Sequence, residues 1–477
     1  MERAEAVAIY DAGREVVVEV LLRMDRQIQQ LTAQVARQGE RIAVLEAKLA
    51  ANSRNSSRPP STDRPSKTPK RSKGPSGRKA GGQSGHEGSG RELLPTAAAD
   101  EVIEHWPLSC DCGHVFTEGE RVAVGQPVRA QVEELPQIAV RLIEHQCPRV
   151  NCPGCGRRRR AAMPPDVAAS AFGPRFQAAV AALVVRNRVS RLDAVELCEE
   201  IFGARISTGT IEAILTRTAD ALQQPCQDVL EHVQASRALN IDETGWRLAG
   251  VQRALWGAFT DRLAIFTVAA DRHEDHARAL LGDHQGVVTS DRWWAYNHLP
   301  LDRRQICWSH LRRDFQAQAE GLDAQNEFGT AALAVCEDVF WAFEIFQHTG
   351  DRAELRRRIR SCQRDLKALL RRYSANATRN KRTRGLARNL LKIWPALWTF
   401  ARIPGVTPSN NHAERSLRGA VIYRKISLGS QSTDGEQRIA RLLSASITCR
   451  LQARSLFDYL AALHHAHAAG DPLPQLT

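Results

Sequence analysis

The 477-residue sequence carries 66 Lys and Arg against 53 Asp and Glu, which gives a net charge of +13 at pH 7. This length predicts about three domains, and the basic excess favours a polyanion such as nucleic acid over a small neutral ligand. The first ten residues lack the apolar stretch of a signal peptide, and no run approaches the ~20 apolar residues of a membrane span. We therefore expect a cytoplasmic protein without a membrane partner.

The N-terminal region has the heptad pattern of a coiled coil. Apolar residues occupy the a and d positions of one frame, broken at Gln38, and this predicts a coiled coil over 1–51 and self-association. A single amphipathic helix packed on its own chain is the alternative. Residues 52–95 are rich in Ser, Pro, Gly, Lys and Arg, which predicts a disordered basic linker. The a and d residues are Leu21, Met24, Ile28, Leu31, Val35, Ile42, Leu45 and Leu49.

Cysteine spacing indicates metal binding. Eleven cysteines are too few for a disulfide framework, and five of them lie between 110 and 155. Two knuckles, "CDCGH" (110–114) and "CPRVNCPGCG" (147–156), flank a strand-like stretch at 127–146 and predict a zinc ribbon-like module over 100–165. The first pair is one residue short of the usual spacing, so His114 and Cys147 remain alternative ligands, and buried free cysteines are the competing interpretation. The expected zinc ligands are Cys110, Cys112, Cys152 and Cys155.

Residues 170–235 are expected to be helical. The segment at 190–203 ends at Gly203, and a second helix begins after a short turn, with Ser207 or Thr208 as its cap. A helix, a Gly-containing turn and a capped helix form the helix-turn-helix pattern, which predicts DNA contact. Plain helical packing explains the same pattern.

From residue 236 the pattern becomes β-like. Short apolar and β-branched runs predict three antiparallel strands, with a hairpin turn at 260–262, then a helix near 273–281 and two further strands, the last at 303–310. Residues 311–403 read as helical, and a further helix starts near His412. The chain is therefore expected to be a multidomain α/β protein.

Three carboxylates stand at corresponding points of this α/β core. Asp242 ends the first strand, Asp291 ends the fourth, and Glu414 lies in the first turn of the late helix. In a five-stranded RNase H-like sheet the first and fourth strands are neighbours, so both aspartates would meet at one edge, where the helix adds Glu414. Converging carboxylates bind divalent cations, and two ions about 3.5–4 Å apart assist phosphodiester chemistry. Singly, each aspartate could be a turn residue, and Glu414, three positions after Asn411, a capping-box residue.

Longer blocks around these acids resemble the transposases of the insertion-sequence 66 family. "NSRNSSRPPSTD" is similar to the linker that follows the family's coiled coil, and the cysteine knuckles are similar to its zinc-binding region. "IDETGWRLAG", "CWSHLRRDF" and "NNHAERSLRG" resemble motifs of its catalytic domain, and "SDRWWAYN" stands in place of its Asp-Gly-Tyr-like motif. The resemblance implies an RNase H-like DDE catalytic domain over 236–450 with a helical insertion at 316–405, followed by a C-terminal helix and tail at 451–477. It implies Asp242, Asp291 and Glu414 as catalytic acids.

The resemblance also implies an activity. The enzyme would bind the terminal inverted repeats of its own insertion sequence and catalyse metal-dependent DNA strand cleavage and transfer. Mg²⁺ or Mn²⁺, with two ions expected, would be held by the three acids, and Zn²⁺ would be structural. Implied partners are the element ends, target DNA, a second copy through the coiled coil and small accessory proteins of the element. Bound to DNA, it would associate with the nucleoid.

Several side chains near the acids have expected roles. An arginine on the glutamate helix could instead neutralise the carboxylates when metal is absent, and His310 is expected near the site or packed. Trp246, Trp293 and Trp294 are expected to be core residues, with base-stacking platforms as the alternative. The basic residues expected to contact DNA phosphates are Arg312, Arg313, Arg415, Arg418, Arg424 and Lys425.

Three other protein classes compete with the transposase. A DNA-binding regulator with a degenerate catalytic domain would not need all three acids. Another RNase H-like nuclease, such as a resolvase, would not need the zinc module, linker and helical insertion together. A scaffold built on the coiled coil would leave the strand-end acids unexplained.

Overall fold

A computed structural model describes residues 3–50, 92–136, 138–165, 167, 170–375 and 380–477. The described residues form two compact units. The larger draws on Met1–Arg64, Ile143–Glu199 and Arg205–Thr477, and the smaller on Pro65–Leu142 and Glu200–Ala204. Most of the predicted linker at 52–95 lies outside the described residues.

The N-terminal region is helical, with α1 at Arg3–Asp11 and α2 at Arg14–Ala50. The apolar a and d side chains of α2 that the structure describes are exposed to solvent, Leu31 at 56% and Val35 at 66%. A single helix of a coiled coil, without its partner, would expose its apolar a and d side chains in this way. The coiled coil stays a prediction.

The other helices and the strands follow in chain order. The helices are α3 Pro174–Val185, α4 Arg191–Phe202, α5 Thr208–Ala221, α6 Gln223–Gln234, α7 Glu274–Leu281, α8 Trp308–Ala319, α9 Ala324–Thr349, α10 Arg352–Ser374, α11 Lys381–Lys392, α12 Thr399–Arg402, α13 Asn411–Ser427, α14 Thr433–Leu451 and α15 Leu456–Ala469. The strands are β1 Arg149–Asn151, β2 Arg158–Arg160, β3 Ala238–Leu248, β4 Val251–Phe259, β5 Ala264–Ala269, β6 Val287–Ser290 and β7 Arg304–Ile306.

One mixed sheet organises the larger unit, with strand order β5-β4-β3-β6-β7. β3 pairs antiparallel with β4, and β4 with β5, whereas β3 with β6 and β6 with β7 are parallel. The predicted three antiparallel strands, helix and two further strands are confirmed, and so is the adjacency of the first and fourth strands. The predicted strand at 303–310 is too long, because Trp308 already begins α8.

Helix α14 closes the edge of the sheet at β5. The Thr448 hydroxyl accepts from the backbone amide of Ala264 at 3.0 Å, and the Ser444 hydroxyl accepts from that of Phe266 at 2.9 Å. An open strand edge exposes unpaired backbone groups to which another chain can add. Hydroxyl groups on α14 satisfy two of these groups instead.

Helices α8 to α12 pack into a hydrophobic core beside β6 and β7. This core contains Phe315, Phe328, Leu366 and Phe400, none of which is exposed. The indole of Trp308 donates to the carbonyl of Leu397 at 2.8 Å, which fixes the start of α8 against the last helical turns. The predicted helical stretch between the second and third acids is therefore a folded layer of its own.

Helix α5 is the second helix of the predicted helix-turn-helix pattern. Ser207 caps it, accepting from the Thr210 amide, as predicted. Its apolar face packs against α3, α14 and α15, and the buried Thr218 hydroxyl lies 3.0 Å from Nε2 of His464. These contacts favour the packing alternative over insertion of this face into DNA.

The region of the zinc prediction holds two small turns and little sheet. β1 and β2 form a short antiparallel hairpin around Cys152 and Cys155. No hydrogen-bonded strand forms in the described part of 127–146, where the sequence predicts one, because no neighbouring strand pairs with it. Across the described ranges, no helix is long and apolar enough to cross a bilayer.

Candidate active site

Asp242 and Asp291 stand at matching points of two neighbouring parallel strands. Asn240 on β3 pairs with Thr289 on β6, so each aspartate lies two residues beyond this pair. Parallel neighbours are separated by about 4.8 Å, which brings the two carboxyl groups together at the carboxyl end of β6. Burial raises the pKa of Asp242, and the nearby charge of Asp291 raises it further, as expected of two carboxyl groups that lie close together.

Glu414 comes to the same place on helix α13, in the helix's first turn. The residue directly before this helix is Asn410, which is completely buried. Its side-chain amide donates to the carbonyl of Ile241 at 2.9 Å and its side-chain oxygen accepts from Asn240 at 2.8 Å. Asn410 therefore attaches the glutamate helix to β3 directly before Asp242.

The capping-box interpretation of Glu414 is wrong. The residue preceding the helix is Asn410 rather than Asn411, and no side-chain cap forms there. The Glu414 carboxylate instead accepts from Nη2 of Arg313 at 3.0 Å, and Nδ1 of His310 lies 3.6 Å from the same oxygen. Glu414 thus faces α8 and the aspartates instead of its own helix end.

Of the three acids, Asp242 is the one whose ionised form is disfavoured by its surroundings. Burial raises the pKa of its carboxyl well above the usual range, and the charges of Glu243, Asp291 and Glu414 raise it further. The Glu243 amide donates to its Oδ1 at 3.0 Å and opposes this shift. Within the described residues, no Arg, Lys or His forms an ion pair with Asp242. Like charges so placed disfavour ionisation unless a cation joins them.

Glu243 is a fourth acid that the sequence reasoning did not assign. It follows Asp242 on β3 and so points to the other face of the sheet. The Tyr296 hydroxyl donates to its Oε2 at 2.5 Å, and Nε of Arg272 lies 3.7 Å from its Oε1. Burial raises the pKa of Glu243, and these two partners counter that rise. Its satisfied contacts mark it as a structural support rather than a free ligand.

His310 lies beside the acids, as expected. Burial lowers the pKa of its imidazole, and nearby Arg313 lowers it further. Its Nδ1 is buried and has no hydrogen-bond partner among the described residues. The neutral ring therefore borders Glu414 without neutralising it.

The six predicted DNA-contacting residues divide into two groups. Arg312 pairs with Glu337 at 2.6 Å, Arg313 pairs with Glu414, and Arg424 donates to Thr244 and to the Gly245 carbonyl. These three are held by the protein. In the part of the chain that the structure describes, three others are exposed and make no ion pair or side-chain hydrogen bond: Arg415, Arg418 and Lys425.

The acids have the ligand chemistry of a magnesium site, but in the described residues they do not have its spacing. Carboxylate oxygens are the ligands that Mg²⁺ prefers, and the ion keeps several waters, so few protein ligands suffice. Asp242 is partly buried among other acids and forms no ion pair within the described residues, which fits a divalent cation. No group of three or more His, Cys, Asp or Glu side chains in the described ranges already has the spacing of a metal-binding cluster.

The zinc prediction rests on two separate turns. In the smaller unit, Cys110 and Cys112 lie in a turn where the Cys110 amide donates to the His114 carbonyl at 2.8 Å. In the larger unit, the Cys152 amide donates to the Arg157 carbonyl at 2.8 Å. Hydrogen bonds from the neighbouring cysteine and backbone lower the pKa of the Cys110 thiol, and those from the backbone amide of Gly154 and from Cys155 lower that of Cys152. Zinc itself stays a prediction.

The larger unit is a mixed α/β fold with two acids at the ends of neighbouring parallel strands, and sequence comparison identifies its family. The family model described as Transposase IS66 family matches residues 169–438. This stretch is more than half of the chain, and the chain therefore belongs to that family of transposases, with a role in DNA transposition. A family of unknown function matches residues 14–92.

A curated relative comes from Sinorhizobium fredii (strain NBRC 101917 / NGR234). It is named "Uncharacterized protein y4hP" and is 24% identical over 390 residues, which cover 74% of this chain and 69% of that protein. The likeness thus extends along most of both chains.

Proposed function

We propose that the protein is a DDE transposase that binds the terminal inverted repeats of its insertion sequence and catalyses metal-dependent strand cleavage and strand transfer. The observation that carries this proposal is the convergence of Asp242, Asp291 and Glu414 from β3, β6 and α13. The strand order of the sheet, with the first and fourth strands adjacent, supports an RNase H-like catalytic domain.

The three acids would hold Mg²⁺ or Mn²⁺, with two ions expected. When bound, the ions would activate the attacking oxygen and stabilise the leaving one in an in-line displacement. Water attack at the element end would release a 3′-hydroxyl, which then attacks a phosphodiester of target DNA. No covalent enzyme intermediate is needed.

Several residues of the chain would prepare this chemistry. Asn410 fixes the distance between the helix of Glu414 and the strand of Asp242. Arg313 holds the Glu414 carboxylate at 3.0 Å, so it positions that ligand rather than contacting DNA. Exposed Arg415 and Arg418 lie on the same helix as Glu414 and would contact phosphates flanking the scissile bond.

Transposition must bring two DNA ends together, and helix α2 offers a means. Its apolar seam is exposed, and pairing with a second copy would bury it and join two active sites in one assembly. Removing residues 1–50 should reduce the molar mass measured by light scattering to that of a monomer. An unchanged mass would remove the basis of this part of the proposal.

Strand cleavage tests the proposed activity. Labelled duplex carrying the element ends is incubated with the protein, with and without Mg²⁺, beside Asp242→Asn, Asp291→Asn and Glu414→Gln. Cleavage should require Mg²⁺ and be lost in all three variants while DNA binding is retained. Glu337→Gln, a surface acid paired with Arg312, is the matched control and should cleave normally. Cleavage by the Asp242→Asn protein would contradict the proposal.

A further inference from the structure

Two tryptophans beside Asp291 are exposed, against the expectation that they belong to the core. Trp293 is 38% and Trp294 43% exposed. Trp246, also expected in the core, is 1% exposed, so that prediction is confirmed. Large aromatic side chains lose favourable burial energy when left in water. Two adjacent ones at the edge of a candidate active site call for a binding role.

Trp293 and Trp294 are both held in place by contacts with the protein. The Trp293 amide donates to Oδ1 of Asp291 at 2.8 Å, and its indole nitrogen donates to the Arg272 carbonyl at 3.3 Å. The Trp294 ring stands edge-on to His273 with centroids 5.2 Å apart, and the two indoles are 5.9 Å apart at 45°. Both planes are therefore fixed relative to the carboxylate before any ligand arrives.

The segment that carries them is anchored on both sides. Arg292 pairs with Asp314 at 2.7 Å and donates to the side-chain oxygen of Asn389 at 2.8 Å. Directly after the pair, Ala295 and Tyr296 are completely buried. The exposed indoles thus sit on a short stretch whose neighbours are fixed to the protein interior.

The position of the two indoles beside Asp291 indicates which part of a bound DNA would contact them. The Trp293 amide touches the carboxylate of Asp291, so a DNA phosphate bound at the acids lies within one residue's reach of the rings. Successive nucleotides of one strand are about 3.4 Å apart along the helix axis, which places only the bases next to that phosphate near the tryptophans. An aromatic face accepts any base, and base–aromatic stacking tolerates sequence.

We propose that Trp293 and Trp294 form a stacking platform for an unpaired base adjacent to the scissile phosphate. The base leaves the duplex stack and rests on the indoles, which places its phosphate at the acids. This inference rests on the proposed transposase function and adds to it the local distortion of the DNA end. The tryptophans bind DNA and do not take part in the chemical step.

The platform is tested by a thermodynamic cycle that combines substitutions in the protein with abasic positions in the DNA. Affinity for the element end is measured without Mg²⁺, using duplexes with a single abasic position moved across the three nucleotides on each side of the cleavage site. The native protein should lose about five- to hundredfold in affinity at one position next to the scissile phosphate. Trp293→Ala combined with Trp294→Ala should lose a similar factor on intact DNA and show no further loss at that position.

Two controls keep the outcome specific. Trp341, 54% exposed on α9 beneath the Arg358 guanidinium, is replaced by Ala and should leave the abasic profile unchanged. Trp293→Phe combined with Trp294→Phe should keep most of the affinity, because a phenyl ring also stacks on a base. Urea unfolding confirms that each variant is folded.

Independent, additive effects of the abasic sites and the Ala variants would overturn the platform. A lower oligomer mass in the Ala variants with unchanged DNA affinity would also overturn it, because the indoles would then bind protein. Failure of the transposase proposal would look different, since the native protein would then not prefer element ends to unrelated duplex.

Discussion

The side-chain amide of Asn410 donates to the carbonyl of Ile241 at 2.9 Å. This bond joins the residue before Asp242 to the residue that directly precedes the helix of Glu414. The backbone amide of Asn410 in turn donates to Sγ of Cys307 at 3.0 Å, directly before α8. A completely buried amide thus sets the relative positions of two of the three candidate acids, and none of these contacts is local in sequence.

Asn410→Ala should reduce strand cleavage at least tenfold. The change removes the Asn410 partner of the buried Ile241 carbonyl and of the partly buried Asn240 amide, which also costs about 1–3 kcal/mol of stability. Cleavage is compared with Asn411→Ala, an exposed neighbour that should behave as the native protein. Full activity of folded Asn410→Ala would show that the bond does not position the acids.

Asp242→Asn should stabilise the metal-free protein. Burial and the neighbouring acids raise the pKa of Asp242, and an acid whose pKa is raised by folding lowers stability at every pH above its unfolded value of about 3.9. Removing the charge should therefore raise the free energy of unfolding at pH 7.5. Mg²⁺ should raise the melting temperature of the native protein and not that of the variant. Differential scanning calorimetry with EDTA or Mg²⁺ measures both effects. Equal Mg²⁺ shifts in the two proteins would place the ion elsewhere.

The basic residues of α13 should separate by role. Arg418→Ala should weaken binding to any duplex and lower the slope of log affinity against log salt by about 1, as expected for one lost phosphate contact. Arg424→Ala should mainly destabilise the fold, because its guanidinium donates to Thr244 and Gly245 on β3. Fluorescence anisotropy at several salt concentrations, with urea unfolding alongside, distinguishes them. A salt slope that changes only in Arg424→Ala would reverse the assignment.

A buried histidine predicts an acid-sensitive fold. His464 is 5% exposed, and burial lowers its pKa to about 4. The unfolded chain, with a pKa of about 6.5, takes up a proton between pH 6.5 and 4 that the folded chain does not. Stability should therefore fall as the pH drops through this window, by about 2 kcal/mol between pH 7 and 5.

Urea unfolding at pH 7 and 5 measures this loss. His464→Gln should flatten the pH dependence, while His465→Gln, at an exposed neighbouring position, should retain the native slope. The same slope in both variants would assign the acid sensitivity to other groups.

Local sequence signals predicted the sheet and the placement of its acids well. The runs around Asp242 and Asp291 carry strand periodicity that ends at the carboxylate, and the first turn of α13 follows a clear breaker sequence. The residues next to a strand in the sequence determine where the strand ends, and strand ends can therefore be predicted from the sequence. The adjacency of β3 and β6 was predicted from the strand order of an RNase H-like sheet and not from a local signal.

Contacts distant in sequence were not readable in the same way. Asn410 stands inside the quoted "NNHAERSLRG" block, yet its role depends on a carbonyl 169 residues away. Exposure of Trp293 was mispredicted because an aromatic residue normally gains by burial. The packing of α5 depends on C-terminal helices that the helix-turn-helix pattern does not include.

Strand joining tests the central claim most directly. A pre-cleaved element end with a free 3′-hydroxyl is incubated with plasmid target, Mg²⁺ and the native protein, Asp242→Asn or Glu414→Gln, and joined product is counted by gel. The three-acid centre predicts joining by the native protein only, with end binding equal in all three. Joining by either variant at the native rate would show that these carboxylates are not the catalytic centre.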